Sequence, residues 1–155
     1  MESISNNQII RVTKIFTLDM AHALYGYDGP CKNIHGHTYE LSVTLKGRSI
    51  NDSSHPKNGM VIDFTDFKNI VKETVIDLFD HSLVLNAHSP HANLKELRNN
   101  FEKINYVPYQ PSCENLILDF SARIKCKLNT NVVLNNIKLK ETPTSFAEWH
   151  ADDNL

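Results

Sequence analysis

No stretch of the 155 residues stays apolar long enough to cross a bilayer, and the polar opening from Met1 to Gln8 lacks the apolar core of a signal peptide. Both absences predict a cytoplasmic protein that does not work in a membrane. Cysteine is scarce and odd in number: Cys31, Cys113 and Cys126 fit reduced thiols better than a disulfide framework. Neither charge sign is in excess. A formal net charge of −2 gives no footing for a nucleic-acid surface or a polybasic patch. Repeats, low-complexity tracts and dividing linkers are missing too. What remains is an ordinary globular composition, 41% hydrophobic and 22% charged, sized for a single domain over residues 1–155. Residues 1–8 are expected to be flexible. Histidine is what the chain has in plenty: there are eight, and His22, His35 and His37 fall close together.

The apolar pattern predicts a strand over Ile9 to Leu18, imperfectly alternating, and a clearer one over His37 to Lys46, with Tyr39, Leu41, Val43 and Leu45 on one face. A loop rich in Gly and Pro separates them. A helix is expected from Asp63 or Thr65, with Phe67, Ile70, Val71, Val75 and Leu78 inward. A second should start near Ser112, burying Leu116, Ile117, Phe120 and Ile124. Residues 82–110 read as a long polar loop. Strands near Val132 to Glu141 and Phe146 to His150 complete the order ββααββ. That order implies an α+β domain, an antiparallel sheet with two helices on one face.

His35-Gly36-His37 is the sharpest local signal, because residues i and i+2 of an extended chain point the same way. Alone, the pair could be two polar residues at a loop end. His22 follows Met20-Ala21, where a core-facing hydrophobe would be the default. A lone histidine there is more often a hydrogen-bonded core residue than a ligand. If the first two strands form a hairpin, however, the three imidazoles make a triangle. Three nitrogen ligands with one open position describe a catalytic zinc site. Cys31, four residues before His35, could be a fourth ligand, a nucleophile or base beside the metal, or an inert loop thiol.

With these motifs, the chain resembles the 6-pyruvoyl-tetrahydropterin synthase family. The matching segments are Phe16 to His22, Cys31 to His37, Gly59-Met60-Val61-Ile62-Asp63-Phe64, Phe79-Asp80-His81, Pro111-Ser112-Cys113-Glu114-Asn115 and Lys140-Glu141-Thr142-Pro143-Thr144-Ser145. The three residues between Cys31 and His35, and the Glu141 motif, are most like the bacterial 6-carboxy-tetrahydropterin synthase branch of queuosine precursor synthesis. Two departures stand out. Residues 82–110 are longer than in compact members, and Ser112-Cys113 stands where threonine-rich pairs are common.

The resemblance implies the tunnelling fold, with sheets joined into a trimeric barrel and two trimers stacked as a homohexamer. It implies Zn2+ on His22, His35 and His37, and Cys31 as general base. Asp80 and His81 would form an acid–base pair, and Glu141 would anchor the pterin ring and join the proton relay. Glu114 is a weaker candidate for substrate contact, since a helix dipole already explains an acid in the first turn. The implied reaction converts 7,8-dihydroneopterin triphosphate to 6-carboxy-5,6,7,8-tetrahydropterin, acetaldehyde and triphosphate. The alternatives are formation of 6-pyruvoyl-tetrahydropterin or, in another class, a non-enzymatic zinc- or pterin-binding assembly protein.

Overall fold

A computed structural model describes residues 8–155, so the flexibility expected of residues 1–8 falls, for 1–7, outside the described residues. Two strands of 13 residues, β1 (Ile10–His22) and β2 (His35–Gly47), pair antiparallel from Ile10 opposite Gly47 to His22 opposite His35. Alternation in β2 sends Tyr39, Leu41, Val43 and Leu45 to one fully buried face. In β1 the buried face takes Leu18 and Met20, while Ile15 points the other way and is exposed, which is why its alternation looked imperfect. β5 (Val132–Thr142) pairs antiparallel with β2, and β6 (Ser145–His150) with β5.

α1 (Phe64–Val71) begins at Asp63, whose carboxylate accepts from the Thr65 N–H at 2.6 Å. A π-helical turn, Lys72–Ile76, joins it to α2 (Asp77–Phe79). The wider turn shifts the helical phase, so Phe79 is buried and Leu78, expected to face the core, is exposed. The long helix α4 (Cys113–Lys127) starts at Ser112, whose hydroxyl accepts from the Asn115 N–H. It buries Leu116, Ile117, Phe120 and Ile124. The two helical runs meet through the Phe79 and Phe120 rings, 4.8 Å apart edge to face, over the buried sheet face. Burying side chains of this size stabilises the fold by roughly 1.5–3 kcal/mol each.

Residues 82–110 are not a plain loop. They contain β3 (Ser82–Asn86), α3 (Lys95–Asn100) and β4 (Ile104–Val107). β3 runs parallel to β1, and β4 parallel to β3. The sheet is therefore mixed and six-stranded, in the order β4-β3-β1-β2-β5-β6, where four antiparallel strands were expected. Both added strands are short, and parallel neighbours need no hairpin turn, so neither a long alternation nor a turn signal marks them. The α+β class and the helices on one face stand as expected. Among the described residues no helix is long and apolar enough to cross a membrane.

Candidate metal centre

The closing end of the β1–β2 hairpin builds the site. His22 lies opposite His35, and His37 opposite Met20, so the ladder itself sets three imidazoles side by side. One ligand atom from each falls within 4.8 Å of the others. The ring centroids lie 4.5 Å (His22–His35), 5.4 Å (His22–His37) and 5.0 Å (His35–His37) apart. Gly36, between the two histidines of β2, faces the backbone of β1: a Cβ there would meet the Met20 carbonyl at 3.3 Å.

Hydrogen bonds fix which nitrogens face inward. His22 Nδ1–H donates to the Pro111 carbonyl at 2.7 Å, and His35 Nδ1–H donates to the Asn33 carbonyl at 2.8 Å. Neutral rings held this way turn bare Nε2 lone pairs toward each other, and those two atoms lie only 3.1 Å apart. His37 Nε2 is buried without a hydrogen-bond partner. Burial holds the His22 pKa below its ordinary value, against the Pro111 hydrogen bond, which favours the charged form. Converging acceptor atoms with no proton to share call for a cation between them. Tetrahedral zinc, with Zn–N bonds of about 2.0–2.1 Å, sets nitrogens roughly 3.4 Å apart. The residues fit such an ion, and the carbonyl partners are the outer support that metal-bound histidines use.

Glu141 completes this wall. It is the extra residue of a bulge, between Lys140 paired with Phe146 and Thr142 paired with Ser145. Its Oε1 accepts from Tyr39 Oη–H at 2.9 Å and lies 3.7 Å from His22 Nε2 and 3.8 Å from His37 Nε2. The Tyr39 hydroxyl is pushed far above its ordinary pKa, by burial first and then by the Glu141 carboxylate, so it stays a donor. Sequence reasoning placed Tyr39 on one strand face with Leu41, Val43 and Leu45 but missed this role. Its position two residues beyond His37, on the same face, was the available signal. The Pro111 carbonyl had none. Cys31 lies in a short 3₁₀ turn, Pro30–Lys32, in the β1–β2 connection. Its thiol is half-buried, and it is not among the ligand atoms that converge with the three histidines.

Asp80 and His81 are brought to a second wall. Asp80 Oδ2 lies 3.0 Å from His81 Nδ1, and Asp80 Oδ1 accepts from the Asp19 N–H at 2.9 Å. Burial opposes ionisation of Asp80, but the Asp19 N–H, His81 and Lys103 outweigh it and hold its pKa below the ordinary value. His81 adopts φ 57°, the one positive φ outside glycine among the described residues. A cavity of about 1170 Å³ runs from His81 and Ser82 to His37 and Thr38. A second, of about 390 Å³, runs from His37 and Thr38 to Glu141 and Thr142. His37 thus lies between the Asp80–His81 wall and Glu141. Glu114 is exposed on the first turn of α4 and lines neither cavity. Cys113 is buried, its thiol pushed up to about 12 by burial, and it donates to the Leu139 carbonyl at 3.4 Å.

Solved structures share the architecture. A *Wolinella succinogenes* protein of uncharacterised function superposes with a TM-score of 0.76 at 17% identity, covering 94% of this chain and 99% of its own. The *Caenorhabditis elegans* 6-pyruvoyl tetrahydropterin synthase does so with a TM-score of 0.67 at 20% identity, covering 96% and 99%. The fold is therefore the tunnelling fold of pterin synthases. The family model of 6-pyruvoyl tetrahydropterin synthase matches residues 11–152, and the chain belongs to that family of enzymes. The 6-carboxy-5,6,7,8-tetrahydropterin synthase of *Haemophilus influenzae* is 35% identical over 145 residues, 91% of this chain and 99% of its own. That of *Rickettsia bellii* is 32% identical over 142 residues, 90% and 99%.

Proposed function

We propose that the chain is a zinc-dependent lyase converting 7,8-dihydroneopterin triphosphate and one water to 6-carboxy-5,6,7,8-tetrahydropterin, with release of acetaldehyde and triphosphate, in queuosine precursor synthesis. The observation that carries this reading is the inward convergence of three histidine Nε2 atoms beside Glu141, in a chain whose relatives are named for that product.

His22, His35 and His37 would hold the zinc, which when bound would supply Lewis acidity toward oxygens of the substrate side chain. Cys31 removes a side-chain proton as general base. His81, oriented by Asp80, moves protons from the other wall. Glu141, fixed by Tyr39, accepts paired N–H bonds from the pterin ring, a charge-assisted arrangement that orients the substrate. The 390 Å³ cavity beside Glu141 lies within the range of small-molecule sites.

β4 and β6 are the sheet's edge strands, and edges of this kind invite pairing with another copy. The assembly that fits is a trimer-based homohexamer, and light scattering at micromolar concentration should give a mass of about six chains.

The deciding experiment incubates zinc-loaded protein with 7,8-dihydroneopterin triphosphate and identifies products. Stoichiometric acetaldehyde with 6-carboxy-tetrahydropterin is expected. Triphosphate release without acetaldehyde would assign the chain to 6-pyruvoyl-tetrahydropterin formation.

A further inference from the structure

The helical run from α1 to α2 ends at Asp80, where the backbone turns extended, and His81 then takes its left-handed conformation. A helix end leaves its last carbonyls without partners. Here side chains take four of them. Lys103 Nζ donates to the Asp77 carbonyl at 2.8 Å and to the Asp80 carbonyl at 2.6 Å. Asn105 Nδ2 donates to the Leu78 carbonyl at 2.6 Å, and Ser82 Oγ to the Phe79 carbonyl at 2.6 Å. Asn105 Nδ2 also reaches Ser82 Oγ, at 3.0 Å. The backbone closes the same joint: His81 N–H donates to the Asp19 carbonyl at 2.6 Å, and Leu83 N–H to the Lys103 carbonyl at 3.1 Å.

We infer that Lys103 and Asn105 are positioning residues for the Asp80–His81 pair. Through them the inserted 82–110 segment, by way of β4, locks the turn that aims His81 into the cavity it shares with His37. The inference rests on the proposed role of His81. A left-handed turn in a residue with a Cβ is costly and persists only where its surroundings over-determine it. The two donors supply that determination from β4, which pairs with β3, and from the residue just before it. The Lys103 charge also suits a helix C-terminus and adds to the field that keeps Asp80 ionised.

The test compares full-length, zinc-loaded Lys103→Met, Asn105→Ala and Lys103→Arg with His81→Ala and the Lys103→Met/His81→Ala double variant. All are assayed well below their melting temperatures. Lys103→Met should lower kcat by about 10- to 100-fold, since small misplacements of a reacting group cost on that scale. KM should change less than about twofold, and Lys103→Arg should recover much of the loss, because it keeps a cationic donor. In the His81→Ala background, Lys103→Met should add no further loss, because its effect passes through His81. In the absence of substrate, the Asp80 carboxyl carbon should titrate at higher pH in Lys103→Met, as a cation beside it is gone. Full kcat in both Lys103→Met and Asn105→Ala, with only a lowered melting temperature, would overturn the inference. So would losses that multiply in the double variant. Full kcat in His81→Ala would instead overturn the role of His81 itself.

Discussion

The two walls of the site are held in different ways. The histidine wall is fixed by backbone register: an uninterrupted ladder sets His22 against His35, and main-chain carbonyls of Pro111 and Asn33 fix the rings. The Asp80–His81 wall is fixed by side chains reaching to a helix end from β3, from β4 and from Lys103 just before β4. Ligands of a metal must converge within tenths of an ångström, and strand pairing delivers that. The Asp80–His81 pair, proposed above to hand on protons, sits instead on a turn whose geometry single side chains can adjust.

The largest effect that would break this contrast is on the metal. His35→Ala/His37→Ala should take zinc from about one per chain to near zero by elemental analysis after dialysis, with His81 variants unaffected. Retained zinc would show that the hairpin does not hold it. Next, Cys31→Ala should keep zinc and lose about 10²- to 10⁴-fold in kcat, the usual contribution of a general base. Loss of zinc instead would make Cys31 a ligand and extend the histidine wall. Glu141→Gln should weaken a non-reactive pterin such as biopterin by roughly ten- to a hundredfold in titration calorimetry. A lost charged hydrogen bond of about 1.5–3 kcal/mol corresponds to that change. Affinity equal to wild type would leave Glu141 as a support for the histidines alone.

The smallest effect separates the walls by pH. In metal-free protein, His22 has a folded pKa lowered from 6.5, so the unfolded chain binds the proton more readily. Stability that is full above 6.5 should fall as pH drops toward the folded value. Asp80 has a folded pKa lowered from 3.8, so its contribution is present above 3.8 and is lost only as pH falls through the folded value. Melting curves of chelator-treated protein between pH 7.5 and 5 should decline in wild type and flatten in His22→Asn, while Asp80→Asn leaves that slope unchanged.

The same contrast explains what was legible in the sequence. His35 and His37 follow from the i, i+2 geometry of an extended chain, His22 from its place after an apolar strand, and the caps Asp63 and Ser112 from residue type. The Glu141 bulge was not visible, because an extra residue leaves the apolar pattern on either side intact. Leu78 was placed inward because a π turn carries no compositional mark. Lys103 and Asn105 were missed because their roles lie in side-chain bonds to carbonyls of a distant helix. No local periodicity records such bonds, and the short strand β4, with Lys103 just before it, looked like loop.

The hairpin that sets the histidines side by side also governs how the chain could assemble around an ion as it folds. Closing a loop costs entropy that grows with its length, and His22 and His35 are separated by a connection of only about a dozen residues. Glu141 arrives from a strand about a hundred residues further on, and the Pro111 carbonyl from beyond the insert. An ion captured by the three histidines would thus fasten a local, early-forming unit, and the carboxylate and carbonyl would dock onto it later.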